Sequence, residues 1–325
     1  MGIKPNDVTL VSVLDACSTA TEVHILHTFL IFRNFEHNSN LQTALVNLHD
    51  KVGCYHDAMY IFNNSTHKDV ISWTSGIAAC AHTEHGREAL NLFYQMLAQG
   101  VEPNSVTFVC TLDGCSSLTA LEEGKELHAA IAENGYDDDE VVVNALINMY
   151  GKCGNAPEAV GLFWSNHKPD SVSWSAVISA CALNGQAMTA LDIFNQMEAL
   201  ELKANEAIFL CVLTSCSHGG LIDQGLRLFI FCIKRHCLCP GEEHFACLID
   251  LYGRAGQLGA AERLLELIPF APAMSALASL LGACRFHGDG DRGLRCGETL
   301  LDIDPHNAAS YIDCANLYAA TTVWE

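Results

Sequence analysis

The stretch SVSWSAVISACALNGQAMTALDIFNQM, residues 171–197, decides how the rest of the chain is interpreted, because a close copy of it occurs earlier. The copy is VISWTSGIAACAHTEHGREALNLFYQM, residues 70–96, and it lies 101 residues before the first stretch. Trp, Cys, Ala, Phe and Met stand at the same places in both segments. A fixed distance between similar segments indicates a chain built from structural repeats.

The distance of 101 residues divides into units of 35, 35 and 31 residues. A tail of a preceding repeat is predicted at 1–6, and 274–325 contains a further unit and an incomplete one. The predicted repeat array between them, 7–273, consists of the units 7–38, 39–69, 70–104, 105–139, 140–170, 171–205, 206–241 and 242–273.

Two positions of the unit carry small residues throughout the array. Position 20 is Ala or Gly in the full-length units, which lets two helices approach closely. Position 11 is a cysteine in six units, and these cysteines are expected to fill space as small apolar residues. The six cysteines are Cys17, Cys80, Cys115, Cys181, Cys216 and Cys284.

Apolar residues within a unit follow the spacing of helices. In unit 70–104, Ala89, Leu90, Phe93 and Met96 share one helical face, and the polar segment HTEHG separates this helix from an earlier one. Each unit is therefore predicted to be a helical hairpin. Hairpins of this length bury their apolar faces only by stacking, so the predicted fold is an all-α, right-handed α-solenoid superhelix.

Composition limits the classes of function. The chain has 325 residues and a net charge of −21, with only 17 Lys and Arg, which does not favour nucleic acid. No run approaches about 18 apolar residues, so no membrane span is predicted. Sixteen cysteines without a secretion signal are expected to be reduced. No second cysteine pair accompanies the one at 237–239, so no metal site is predicted.

The units resemble the pentatricopeptide repeat family. The resemblance rests on VNALINMYGKCGNAPEAVGLF at 143–163, on 173–197 of the opening segment, and on HFACLIDLYGRAGQLGAAERLLELIPFAP at 244–272. The alternation of 35, 35 and 31 residues is similar to the PLS subclass, which occurs chiefly in land-plant organelle RNA-editing factors. It argues against tetratricopeptide repeats, which have a uniform length of about 34 residues. Residues 277–293 and 300–320 resemble the E-type extension motifs of that subclass.

The resemblance implies a protein that reads single-stranded RNA, one base per unit. In the family, the side chains at position 5 and at the last position of a unit contact the edge of the base, with the N-terminus toward the 5′ end. A helix cap is the alternative role for a single Asp or Asn. The family code assigns guanine to Thr43 with Asp69, adenine to Thr74 with Asn104, uracil to Asn144 with Asp170, and adenine to Ser175 with Asn205.

Two further groups of residues follow from the same resemblance. Aliphatic residues at position 2 are expected to wedge between bases, namely Ile71, Val141 and Val172. Basic residues at position 13 of the short units are expected to contact phosphates, with a solvated helix end as the alternative, and these are Lys51, Lys152 and Arg254. Units with an aliphatic position 5, and unit 242–273 with Ala246 and Ala273, are expected to add little specificity.

Catalysis is not expected from this chain. Editing members of the family often end in a zinc deaminase domain, which needs a Cys-x-x-Cys pair that this sequence does not contain. The predicted protein therefore has no cofactor and no small-molecule substrate. Its expected partners are single-stranded organellar RNA and an editing cofactor or deaminase that docks on 274–325. The family implies a mitochondrion or a chloroplast, although no transit peptide is visible at the N-terminus.

Two alternatives stay open at this point. The acidic composition favours a helical-repeat scaffold that binds proteins and has lost RNA binding. The segment that follows Met1 resembles the end of a repeat, which favours a fragment of a longer protein.

Overall fold

The computed structural model describes residues 7–32, 38–236, 239–268, 274–305 and 308–322. The secondary structure of these residues is α-helical, and no strand occurs among them. The tail predicted at 1–6 and the last position of unit 242–273 lie outside the described residues. The chain forms two compact parts, an N-terminal block, Met1–Pro169, and a C-terminal block, Asp170–Glu325.

Ten helices are described in the N-terminal block, and each predicted unit contributes two of them. Their bounds are α1 Asp7–Asp15, α2 Ala20–Phe32, α3 Ser39–Lys51, α4 Tyr55–Asn64, α5 Val70–His82, α6 Gly86–Ala98, α7 Ser105–Leu118, α8 Leu121–Glu133, α9 Glu140–Lys152 and α10 Ala156–Ser165.

Nine helices are described in the C-terminal block. Their bounds are α11 Ser171–Leu183, α12 Ala187–Ala199, α13 Glu206–His218, α14 Ile222–His236, α15 Glu242–Arg254, α16 Leu258–Leu267, α17 Met274–His287, α18 Gly290–Ile303 and α19 Ala308–Thr322.

Each block consists of two layers of helices. In the N-terminal block the first helices of the hairpins, α1, α3, α5, α7 and α9, pack successively on one another. The second helices of the hairpins pack on this layer. For example, α4 contacts both α3 and α5, and α6 contacts both α5 and α7. The C-terminal block repeats the arrangement with α11, α13, α15 and α17. The prediction of an all-α stack of helical hairpins is therefore confirmed.

The small residues at positions 11 and 20 form the contact between the two helices of a hairpin. All six cysteines at position 11 are buried. A Cβ atom added to Gly293 at position 20 would lie 3.1 Å from the Cβ of Cys284 and 2.5 Å from Leu317. Burial also raises the pKa of these thiols, to about 12 for Cys80 and Cys115. The cysteines of the described residues are free thiols, as expected for packing residues.

Helix ends are determined by one backbone conformation and one type of cap. In each unit from 39–69 to the one that begins at 274, the residue at position 15 has a positive φ angle. This residue is glycine in six of these units, for example Gly185 with φ 69°. Glu84 with φ 63° and Thr119 with φ 51° occupy the same position without the freedom of glycine. Asp or Asn before the first helix of a unit accepts hydrogen bonds from backbone N–H groups.

None of the described helices is long and apolar enough to cross a membrane.

Candidate nucleic-acid interface

A groove beside α3 contains four of the residues predicted to contact RNA. Its volume is about 530 Å³, and Thr43, Asp69, Ile71 and Lys51 are among its lining residues. Val11, which stands at position 5 of the preceding unit, also lines the groove. The structure therefore brings a predicted reading pair, a predicted wedge and a predicted phosphate contact to one surface of the N-terminal block.

The reading pair Thr43 and Asp69 is joined through a third side chain. Asp69 caps α5, and its Oδ1 accepts the backbone N–H of Ser72 at 2.9 Å and the hydroxyl of Ser72 at 2.8 Å. The hydroxyl oxygen of Thr43 lies 3.1 Å from that of Ser72. Because the single hydrogen of Ser72 goes to Asp69, Thr43 is the donor in this bond. Thr43 therefore presents only acceptor lone pairs to a ligand.

The next pair, Thr74 and Asn104, is joined in the same way. Asn104 caps α7, and its Oδ1 accepts the N–H and the hydroxyl of Thr107, both at 2.9 Å. The hydroxyl of Thr74 lies 2.7 Å from that of Thr107 and 2.7 Å from the carbonyl oxygen of Val70. Its hydrogen is consequently used inside the protein. Thr74 is also nearly buried, with 9% of its surface exposed.

These networks give the two pairs different hydrogen-bonding characters. Thr43 and Asp69 both present acceptors, because a carboxylate has no hydrogen to donate. Hydrogen bonds from the backbone N–H and the hydroxyl of Ser72 hold the pKa of Asp69 below its usual range, which keeps the group ionised. Thr74 presents an acceptor, whereas Asn104 uses its amide oxygen for the cap and keeps its Nδ2 hydrogens for a ligand.

Sequence reasoning missed the bridging residues Ser72 and Thr107. Both stand at position 3 of the following unit and both are buried. Their signal in the sequence is a hydroxyl residue three positions after a capping Asp or Asn, which is the pattern of a capping box. Ser173 stands in the same relation to Asp170, with its hydroxyl 2.8 Å from Oδ1 of that residue.

The pair Ser175 and Asn205 has no such bridge. Asn205 Oδ1 accepts the backbone N–H of Ile208 at 2.9 Å, and Ile208 has no hydroxyl. Ser175 donates its hydrogen to the carbonyl oxygen of Ser171 at 2.7 Å, which again leaves only acceptors for a ligand. The other predicted reading residues lie on separate blocks: Asn144 is half-buried in α9, and Asp170 caps α11.

The three predicted wedge residues are exposed at the second residue of their helices. Ile71, Val141 and Val172 expose 59%, 63% and 55% of their surface. Val106, at the same position of unit 105–139, exposes 55% and belongs to this group, although sequence reasoning did not include it. Exposed β-branched residues at one repeated position are not explained by packing inside the hairpin.

The three basic residues at position 13 differ in the charges around them. Among the described residues, Lys51 and Lys152 are exposed at the ends of α3 and α9 and form no ion pair. Arg254 donates from Nε to Asp250 Oδ2 at 2.8 Å, so its charge is already partly neutralised. The spacing of four residues between Asp250 and Arg254 makes this pair recognisable in the sequence. Lys51 and Lys152 are the better candidates for phosphate contacts.

Comparison with known proteins identifies the repeat. The model described as "PPR repeat family" matches residues 68–117, and the model described as "PPR repeat" matches 141–165, 172–202 and 243–269.

Two curated relatives from Arabidopsis thaliana cover the whole chain. The pentatricopeptide repeat-containing protein CRR2, whose name places it in the chloroplast, is 35% identical over an alignment of 334 positions that covers 100% of this chain and 51% of the relative. A pentatricopeptide repeat-containing protein whose name places it in the mitochondrion is 33% identical over 328 residues, 100% of this chain and 59% of the relative. The chain spans about half the length of the curated relatives that it matches.

A solved structure has the same fold. The crystal structure of the pentatricopeptide repeat protein PPR10 in complex with an 18-nucleotide psaJ RNA element superposes with a TM-score of 0.80, covering 97% of this chain and 48% of that one. The sequence identity is 15%, so this likeness concerns the fold alone.

Proposed function

Because this chain belongs to the pentatricopeptide repeat family, we propose that it is a non-catalytic adaptor that binds single-stranded RNA, one base per repeat. The arrangement of donors and acceptors at two successive reading pairs carries this proposal. A guanine presents two adjacent donors, N1–H and N2–H, and the acceptors of Thr43 and Asp69 complement them. An adenine presents the N6–H donor beside the N1 acceptor, which the acceptor of Thr74 and the amide hydrogens of Asn104 complement.

The exposed aliphatic residues support the same proposal. Ile71 and Val106 stand two residues after the last residues of the two reading pairs, Asp69 and Asn104, in the first turns of α5 and α7. An apolar side chain beside a hydrogen-bonding pair gives a base both a surface for its face and partners for its edge. Lys51, in the same groove as Thr43, supplies a positive charge for the backbone.

The proposal extends to the RNA-processing pathway and to the cell compartment in which the protein acts. The PLS-like alternation of unit lengths and the E-type motifs favour C-to-U RNA editing, with catalysis supplied in trans. In this proposal residues 274–325 are a docking site for an editing partner or a deaminase. The chloroplast and mitochondrial names of the relatives favour an organelle as the place of action.

The experiment that tests base reading exchanges the two capping residues. Asp69→Asn should change the base preference of unit 39–69 from guanine to adenine, because it replaces an acceptor by an amide donor. Asn104→Asp should change the base preference of unit 70–104 from adenine to guanine. Each mismatch should cost about 1–3 kcal/mol of binding free energy, the scale of direct base readout. Binding of short RNAs that differ at these two bases, followed by fluorescence anisotropy at low salt, measures both changes.

The exchange is its own control for folding. Asp and Asn are about equally good helix caps, so circular dichroism should be unchanged in both variants. Base reading is refuted if an exchange weakens all RNAs equally or if each variant leaves the preferences unaltered.

A protein-binding scaffold is the second candidate, because the net charge is −21 and Arg254 is paired with Asp250. The salt dependence of RNA binding decides between the two functions, since phosphate contacts give a steep slope. The scaffold becomes the better account of the two if no RNA binds even at low salt.

A further inference from the structure

Three helices of the N-terminal block bring together a group of three potential metal ligands, with a fourth, His49, beside one of them. His24 on α2 places Nε2 3.2 Å from Oδ2 of Asp57 on α4. Cys54, the residue before α4, completes a group with these two in which all ligand atoms lie within 4.8 Å of one another. His49 on α3 places Nδ1 3.9 Å from the same oxygen of Asp57.

The hydrogen bonds of the two histidines are compatible with a lone pair on each ring that faces Asp57. His24 Nδ1 lies 2.8 Å from the carbonyl oxygen of Ala20, which can only accept, so Nδ1 carries a hydrogen and the neutral ring has its lone pair on Nε2. His49 Nε2 lies 3.3 Å from His27 Nδ1, and when His49 is the donor in this contact its lone pair lies on Nδ1. Metal-binding histidines are characteristically held in this way by a second partner on the other ring nitrogen.

The buried position of His49 indicates that something is needed between it and Asp57. Its relative exposure is 0%, and Nδ1 has no hydrogen-bond partner. A buried polar atom without a partner is costly, and when Nδ1 carries the lone pair, repulsion from the carboxylate adds to this cost. A cation between Nδ1 and Oδ2 would satisfy both atoms.

We propose that His24, His49, Cys54 and Asp57 bind one Zn²⁺ ion. Two imidazoles, one thiolate and one carboxylate form a donor set that suits this borderline-soft cation. Four protein ligands close the coordination sphere, as in structural zinc sites. The ion joins α2 to the hairpin of α3 and α4, and the site is independent of the proposed RNA-binding surface.

The corresponding junction 101 residues later shows that the repeat itself does not require these ligands. There Tyr150 replaces His49, and its hydroxyl lies 2.9 Å from Nδ1 of His128, the counterpart of His27. Asn155 replaces Cys54, and Glu158 replaces Asp57. Lys125 replaces His24 and pairs with Glu122 at 2.7 Å. The ligand set is therefore an addition to a junction that packs without it.

The test measures Zn²⁺ affinity of the full chain after removal of metal by a chelator, in competition with a chromophoric chelator. Three variants each remove one ligand: His49→Tyr installs the residue of the corresponding junction, Asp57→Asn keeps the shape, and Cys54→Ser removes the thiolate. Each should weaken binding at least as much as loss of an outer partner does, about 10–100-fold. His27→Ala should weaken it about 10-fold while Co²⁺ substituted at the site keeps the visible absorption of tetrahedral coordination.

Matched controls separate the site from the other thiols and imidazoles of the chain. Cys153→Ser changes a half-buried cysteine and His56→Ala an exposed histidine, and neither should alter the affinity. Circular dichroism of each variant checks that the helices are retained. The proposal is wrong if the parent chain binds Zn²⁺ no more tightly than His49→Tyr, or if Cys153→Ser weakens binding as much as Cys54→Ser.

Discussion

Units 70–104 and 171–205 are copies that share a core and differ at the surface that would meet a ligand. Trp73 and Trp174 expose 1% and 2% of their surface, and Cys80 and Cys181 are completely buried. In contrast, Thr107 bridges Thr74 and Asn104 in the first copy, whereas Ile208 stands at the equivalent place beside Ser175 and Asn205 in the second copy. Packing therefore fixes the residues inside the hairpin, while the residues around the cap differ between the copies and, in the proposed function, give each unit its own base preference.

The two copies also differ in how firmly the side chain at position 5 is held. Thr74 is nearly buried and its hydroxyl contacts both Val70 and Thr107, so its orientation is fixed before a ligand arrives. Ser175 is half-buried and is held by the carbonyl oxygen of Ser171. A fixed polar group loses less entropy on binding, so the first unit should discriminate between bases more sharply than the second.

The largest expected effect tests the shared core. Trp73→Ala and Trp174→Ala should each reduce the free energy of unfolding by about 3–5 kcal/mol, because both remove a fully buried aromatic side chain. Urea unfolding followed by circular dichroism measures the loss. Met188→Ala, at a position with 55% exposure, is the control and should change stability by less than about 0.5 kcal/mol. If one of the two tryptophans is dispensable, the two copies do not share a core.

The core and the helices could be predicted from the sequence because they depend on periodic features. The 101-residue repeat and the small residues at positions 11 and 20 report packing, and packing is the same in every copy. The positive φ of Glu84 was also predictable, since five other units from 39 to 256 have glycine at this position.

The properties of the proposed interface depend on contacts between units, which a periodic pattern does not contain. The role of Thr107 follows from a distance of 2.7 Å to a residue 33 positions earlier. The proposed zinc ligands could not be recognised in the sequence, because they come from three helices at no standard motif spacing and include neither cysteine of the pair at 237–239. The burial of Thr74 likewise became visible only in the packed structure.

The second prediction moves the bridging hydroxyl. Thr107→Val has nearly the same shape and removes the bridge, so the preference of unit 70–104 for adenine over guanine should fall by about 1 kcal/mol, the net value of one hydrogen bond. Ile208→Thr adds a hydroxyl beside Asn205 and should sharpen the preference of unit 171–205 by a similar amount. Anisotropy titrations with RNAs that differ at one base measure both.

One further variant controls for side-chain size, and the stability of Thr107→Val is measured separately from its base preference. Ile208→Val shortens the side chain without adding a hydroxyl and should leave base preference unchanged. The bridge has no role in recognition if Thr107→Val lowers stability but keeps the ratio of affinities for adenine and guanine.

The smallest expected effect concerns the turn between the two helices of each unit. Glu84 has φ 63°, a left-handed conformation that Gly185 adopts at the same position of the other copy with φ 69°. Glu84→Gly should stabilise the chain by about 0.5–1 kcal/mol, because the strain of a side chain in this region exceeds the entropy cost of glycine. Gly185→Glu should destabilise it by a similar amount. Urea midpoints of both variants measure the changes, and Glu88→Gly, inside α6, controls for the general effect of glycine, which lowers stability in a helix. Equal signs for Glu84→Gly and Glu88→Gly would show that the turn at Glu84 stores no strain, and the two copies would then differ only around their caps.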